Sequence, residues 1–112
     1  MDLATKKCIP CEAGTPSMTK DEAEQLLGQV SDWELIDEEG KLKIRKRFKF
    51  NTYLDGIKFV NQIAKLAEEE GHHPDMLVGW RRVTVNLMTH AIGGLFQNDF
   101  VMAAKINQII SK

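Results

Sequence analysis

Between Gly40 and Asn51 the chain reads KLKIRKRFKF, where Leu42, Ile44, Phe48 and Phe50 alternate with Lys43, Arg45, Arg47 and Lys49. A period of two sustained over this length suits a β-strand with one covered and one open face, and it does not fit a helical stripe. The constraint spreads to the neighbours. Such a strand needs antiparallel partners along its edges and a layer of helices against its apolar face. Upstream, Trp33 to Ile36 leads into the acidic turn DEEG, so residues 33–50 are expected to form a β-hairpin. Lys46 alone interrupts the apolar face.

The flanking segments switch to a helical period. In TKDEAEQLLGQV, Thr19 and Glu22 have the spacing of a capping box, and Ala23, Leu26, Leu27 and Val30 recur along one side. A first helix is therefore expected over about Lys20 to Val30. NTYLDGIKFVNQIAKLAEEEG is the strongest helical segment, with Asn51 as N-cap and Tyr53, Ile57, Val60, Ala64 and Ala67 on one face. Gly71 supplies the left-handed stop. DMLVGW and RRVTVNLMTH read as two further strands, AIGGLFQN as a loop, and DFVMAAKINQIISK as a closing helix. Phe100, Ala103, Ala104, Ile106 (or Asn107) and Ile110 share one side of that helix, and Asn98 or Asp99 would cap it. The expected fold is α+β, in the order α-β-β-α-β-β-α, with three helices on one face of a four-stranded antiparallel sheet.

Several function classes are disfavoured. A chain of 112 residues is one domain by length, and a net charge of -1 gives no electrostatic case for nucleic acid or an anionic membrane. The basic stripe on the long strand has no interleaved aromatic for base stacking, so it reads as a solvated sheet face partly paired with acids from neighbouring strands. No apolar run approaches the roughly 20 residues of a membrane span, and a cytoplasmic location is expected. Cys8 and Cys11, in CIPC, supply only half of a structural zinc site and do not lie between a strand and a helix. Residues 1–17 are expected to be a flexible tail and residues 18–112 the folded domain, and deletion of residues 1–16 is expected to leave fold and rate nearly unchanged.

The corner EEEGHHP is less easily explained by structure alone. Carboxylates at a helix C-terminus face the negative end of the macrodipole, which disfavours them by a few tenths of a kcal/mol each, roughly. Helical geometry places Glu68 on the flank of the buried face, close to the turn carrying His72 and His73, and points Glu69 to solvent. His90 follows at or just past the end of the last strand. Three histidines near a carboxylate suit proton transfer near neutrality. The rival readings are surface histidines without a role and, ranked lower, a three-histidine zinc site, since adjacent His72 and His73 need unusual backbone geometry to aim at one ion.

The run Glu68-x3-His72-His73-Pro74, followed by Trp80, His90 and Asp99, resembles the signature of the pterin-4a-carbinolamine dehydratases. The likeness covers the chain from about residue 18 to its end. It implies removal of water from a 4a-hydroxytetrahydropterin, giving the quinonoid dihydropterin that a reductase recycles for aromatic amino-acid hydroxylases. It also implies His72, His73, His90 and Glu68 as catalytic residues, with Glu68 orienting and charging a histidine. Gly71, Met88, Thr89 and Ala91 would join the histidines in lining the pterin pocket, whereas Asp99 would cap the last helix rather than touch substrate. No metal and no cofactor are implied, and self-association as a dimer or tetramer is. The family also includes dimerisation partners of a homeodomain transcription factor and relatives linked to molybdopterin metabolism. A pterin-binding or protein-interaction module is therefore the second reading.

Overall fold

The computed structural model describes residues 3–9 and 14–111. Its elements are α1 (Lys20–Leu27), β1 (Glu34–Glu38), β2 (Lys41–Lys49), α2 (Tyr53–Glu70), β3 (Asp75–Gly79), β4 (Arg82–Leu87) and α3 (Gln97–Ser111), with short 3-10 turns at Leu3–Thr5 and His90–Ile92. The strands form one antiparallel sheet in the order β1-β2-β4-β3. The fold is α+β in the order that the period changes predict.

Turn chemistry sets the hairpin register. Glu39 and Gly40 both have positive φ, 54° and 84°, and Glu38 pairs with Lys41 across them. Two left-handed residues make the tight turn whose twist matches paired strands, and the Gly40 N–H donates to Asp37 Oδ1 at 3.0 Å. The inward face of β2 then meets β4 in register, Ile44 opposite Leu87 and Phe48 opposite Val83. All four are buried. Lys46 shares this face without leaving a buried charge, because its Nζ donates to Ser31 O at 3.2 Å and Asn107 Oδ1 at 2.8 Å. On the outward face, Lys43 pairs with Glu38, and Arg45 Nε donates to Asn86 Oδ1 at 2.7 Å.

The helices depart from expectation in ways packing explains. Thr19 and Glu22 do form the capping box, but α1 ends at Leu27. Beyond Gly28, the Gln29 and Val30 N–H groups bond back three residues, and this tighter turn carries Val30 into the core. The N-cap of α2 is Thr52, whose hydroxyl accepts the Asp55 N–H at 3.1 Å, rather than Asn51. The buried face of α2 is Gly56, Phe59, Ile63 and Ala67, while Tyr53 and Ala64 are exposed. Phe59 decides this rotation by packing its ring, tilted, against Phe48 and Phe50, at centroid distances of 4.7 and 5.3 Å. Gly56 assists, since a Cβ there would already touch Val83 and Phe50. In α3, burial extends around Asn98 to Ala103 rather than following one stripe, and Ile110 lies exposed near the helix end.

The breadth of burial on α3 has a source that periodicity could not supply. Residues 3–9, expected as part of a loose tail, lie against this helix. Leu3 is buried in the core, the Cys8 N–H donates to Glu70 Oε1 at 2.9 Å, and Ile9 is bonded to the Asn98 side chain. A segment that contributes a core side chain and fixed backbone hydrogen bonds is part of the domain. Cys11 lies outside the described residues.

Candidate active site

Three chain junctions meet at one end of the sheet: the turn after α2, the exit from β4 and the start of α3. Gly71, at φ 68°, ends α2, and both its N–H and that of His72 return to Ala67 O. This left-handed turn sends two adjacent imidazoles to different partners. His72 Nε2 lies 2.6 Å from Asp99 Oδ1, with the two side chains 11% and 0% exposed. His73 Nε2 lies 2.5 Å from Glu68 Oε2, with the side chains 60% and 78% exposed. Glu68 therefore meets a histidine as expected, but on the surface rather than half-buried.

Asp99 is the structural centre of the site. Its second oxygen accepts the Thr89 hydroxyl at 2.9 Å and the Phe96 N–H at 3.0 Å. The carboxylate thus binds the turn after α2, the end of β4 and the residue before α3 at once. The expectation that Asp99 caps the last helix describes only the Phe96 bond, because the same side chain also orients His72. Sequence alone hides this, since a carboxylate in the first turn of a helix is sufficiently explained by capping. Asn98, the other capping candidate, instead spends its side chain on the backbone of Ile9, accepting its N–H at 2.9 Å and donating to its O at 2.6 Å.

His90 begins the 3-10 turn just beyond β4, which is closed by the Gly93 N–H on His90 O and by the Thr89–Gly94 pairing. Its ring is exposed and carries neither of the bonds that tie His72 and His73 to carboxylates. Gly71, His72, His73, Met88, Thr89, His90 and Ala91, the positions expected to line a pterin pocket, all border one cavity of about 270 Å³. Ile9 and Asn98 border it too; the sequence marked Asn98 only as a helix cap and Ile9 not at all.

The geometry defines a tautomer. A carboxylate can only accept, so a neutral His72 donates its Nε2–H to Asp99 and keeps a lone pair on Nδ1. Proton uptake there places the new positive charge beside a buried carboxylate. The arrangement can accept a proton at one histidine and deliver one from another. Among the described residues, no group of three or more His, Cys, Asp or Glu is disposed to hold a metal ion. Cys8 is no obvious nucleophile: burial, and then the adjacent Glu70, push its thiol up to about 12, so it stays protonated near neutrality.

Comparisons with known proteins point to one family. The family described as Pterin 4 alpha carbinolamine dehydratase matches residues 16–109. The mitochondrial "Pterin-4-alpha-carbinolamine dehydratase 2" of Arabidopsis thaliana is 46% identical over 110 residues, covering 96% of this chain and 59% of that protein. A "Putative pterin-4-alpha-carbinolamine dehydratase" of Rubrobacter xylanophilus is 41% identical over 108 residues, covering 96% of this chain and 98% of that protein. The crystal structure titled transcriptional coactivator/pterin dehydratase from Brucella melitensis superposes with a TM-score of 0.76 at 32% identity, covering 84% of this chain and 98% of that one. The chain belongs to the pterin-4a-carbinolamine dehydratase family.

Proposed function

We propose that the protein dehydrates a 4a-hydroxytetrahydropterin to the quinonoid dihydropterin, the hydro-lyase reaction named for its relatives, by histidine acid–base chemistry. The observation that carries this reading is the His72–Asp99 pair at 2.6 Å, opening onto a cavity that His73 and His90 also border. His72 takes the proton from a pterin ring nitrogen at Nδ1, and Asp99 faces the charge it gains. His90 gives a proton to the 4a-hydroxyl as the C4a–O bond breaks, so that water leaves and one proton is returned for each one taken. His73, held from outside by Glu68, contacts the pterin in the cavity. General acid–base transfers of this kind contribute about 10²–10⁴-fold each. The test generates the carbinolamine with a phenylalanine hydroxylase and follows its decay. Acceleration by this protein, lost in His72→Ala, is expected; decay at the uncatalysed rate with folded wild type defeats the reading.

Self-association belongs to the same proposal, and the two sheet edges indicate where. Edge strand β1 carries Glu34, Asp37 and Glu38, charges that discourage pairing with another strand. Edge strand β3 and the turn after it instead expose Leu77, Val78 and Trp80. The protein pairs through β3 to continue the sheet across subunits. Light scattering should give a multiple of 12.7 kDa, and Leu77→Lys should reduce it. A wild-type monomer at micromolar concentration contradicts the pairing without touching the chemistry. Among the described residues, no helix is long and apolar enough to cross a membrane.

A further inference from the structure

We propose that the segment 3–9 walls the active-site cavity through its last residue, with Ile9 a substrate-binding residue and Asn98 the residue that positions it. The proposal rests on the pterin reading for the identity of the ligand, but its geometry is independent of that reading. Ile9 borders the same cavity as the three histidines. It is also 54% exposed, so a large apolar side chain stands at the cavity mouth with room to be covered.

Two side chains hold the segment at its cavity end. Asn98 grips Ile9 through both backbone groups, at 2.9 and 2.6 Å, as a partner strand would. Asn98 is itself 4% exposed, and Asp99 follows it in the chain. One residue earlier in the segment, the Cys8 N–H donates to Glu70 Oε1 at 2.9 Å, and Lys105 Nζ stands 3.6 Å from the other oxygen of that carboxylate. Glu70 immediately precedes the Gly71 turn that aims His72. The junctions that fix the His72–Asp99 pair therefore also fix Ile9. At the far end, Leu3 is anchored in the core. The Asn98 and Glu70 bonds set where Ile9 stands.

The chemistry of the lining gives that placement a use. The histidine rings on the lining can meet the donor and acceptor edges of a pterin, whereas the flat faces of its ring need apolar cover. Ile9 and Met88 are the large apolar side chains on the lining. Ile9 covers one ring face and excludes water from it. Such a contact acts equally on ground state and transition state, and so acts through KM.

The experiment compares wild type with Ile9→Ala and Asn98→Ala. Ile9 is half exposed, so Ile9→Ala keeps the fold. Ile9→Ala should raise KM for the carbinolamine about tenfold, the scale of losing an apolar contact from a pocket, with kcat within about twofold. Asn98→Ala should act in the same direction, and in addition speed amide exchange at Cys8 and Ile9. A second readout needs no turnover: a non-reacting dihydropterin should slow exchange at the Ile9 amide of the wild-type protein. If the wild type binds dihydropterin with that protection but does not dehydrate, the wall stands and the dehydratase reading falls. If the wild type dehydrates while Ile9→Ala and Asn98→Ala keep its KM, the wall is wrong and the dehydratase reading stands. Exchange at Ile9 indifferent to dihydropterin likewise overturns the proposal.

Discussion

His72 and His73 are sequence neighbours, and each meets a carboxylate through Nε2, yet the two pairs work in different media. His72–Asp99 is enclosed, at 11% and 0% exposure, whereas His73–Glu68 stands at 60% and 78%. Water and salt screen the exposed pair, and Glu68 can swing away on a long side chain at little cost. Asp99 cannot. Two further donors, from Thr89 and Phe96, hold its second oxygen, and the surroundings do little to screen it. The same two residue types in contact thus give one fixed proton-handling pair and one adjustable surface contact. The left-handed turn at Gly71 produces the split, because it sends one ring toward α3 and the other back along α2.

The largest effect should come from Asp99. Asp99→Asn keeps the volume and an acceptor for Thr89 and Phe96, but it points an NH₂ at His72 Nε2. The ring must then carry its proton on Nδ1, where the proposed mechanism needs a lone pair. kcat/KM should fall on the order of 10² or more, the scale of a lost general base, with far-UV dichroism unchanged. Asp99→Ala should add a stability loss of about 3 kcal/mol or more by denaturant titration, since buried donors lose their acceptor. An Asp99→Asn enzyme working at the wild-type rate would erase the distinction between the two pairs.

Next in size are the histidines themselves. His72→Ala and His90→Ala should each lower turnover about 10²-fold. They should differ in stability: His72→Ala strands the buried Asp99 carboxylate at a cost of about 1–3 kcal/mol, while exposed His90 can be removed freely. His73→Ala should act mainly through KM, with turnover nearly intact. Wild-type turnover in both His72→Ala and His90→Ala would make the cluster ornamental, and the binding-module reading would replace the enzyme.

What the sequence disclosed divides along the same line of local against non-local causes. Period two in Lys41 to Phe50, the Thr19–Glu22 capping box and the Gly71 stop are local signals, and each appears in the fold. The rotation of α2 was misjudged because Phe59 is placed by rings on β2 and beyond, not by its own helix. The gathering of His72, His73 and His90 could be anticipated from a motif, but not the assignment of partners. Which carboxylate meets which ring depends on Gly71 aiming His72 at a helix that starts at Gln97. Ile9 was hidden altogether. Its placement comes from Asn98 and Glu70, far along the chain, and its own neighbours read as a loose arm.

A smaller effect separates two carboxylates within the EEE run. Burial alone would raise the Glu70 carboxyl, but the Cys8 N–H and Lys105 outweigh it and hold the group below its ordinary value of 4.5. A depressed carboxyl contributes its stabilisation fully above that ordinary value, and loses it as pH falls through the lower folded one. The bond to Cys8 should therefore persist at neutral and mildly acid pH and weaken only below the ordinary carboxylate value of 4.5. Exchange protection at the Cys8 amide, measured down the pH scale, should show this loss in wild type and not in Glu70→Gln. Protection that already disappears near pH 6 would mean that Glu70 is not what holds the segment.

The smallest effect is expected at Glu68, where the resemblance to known enzymes had suggested a catalytic role. Glu68→Gln keeps the side-chain length and a hydrogen-bond acceptor for His73, and removes only the charge. With Glu68 at 78% exposure, that charge already competes with water and counter-ions. Turnover should stay within about twofold of wild type at physiological salt, because screening has already reduced what the charge contributes. KM should rise slightly, and more at low salt than at high, since the surviving electrostatic part is the part salt can still remove. The decisive measurement is KM and kcat for wild type and Glu68→Gln across a salt series. A loss of turnover approaching that of Asp99→Asn, and indifferent to salt, would show that substrate buries the His73–Glu68 pair on binding and turns the outer contact into a second enclosed one.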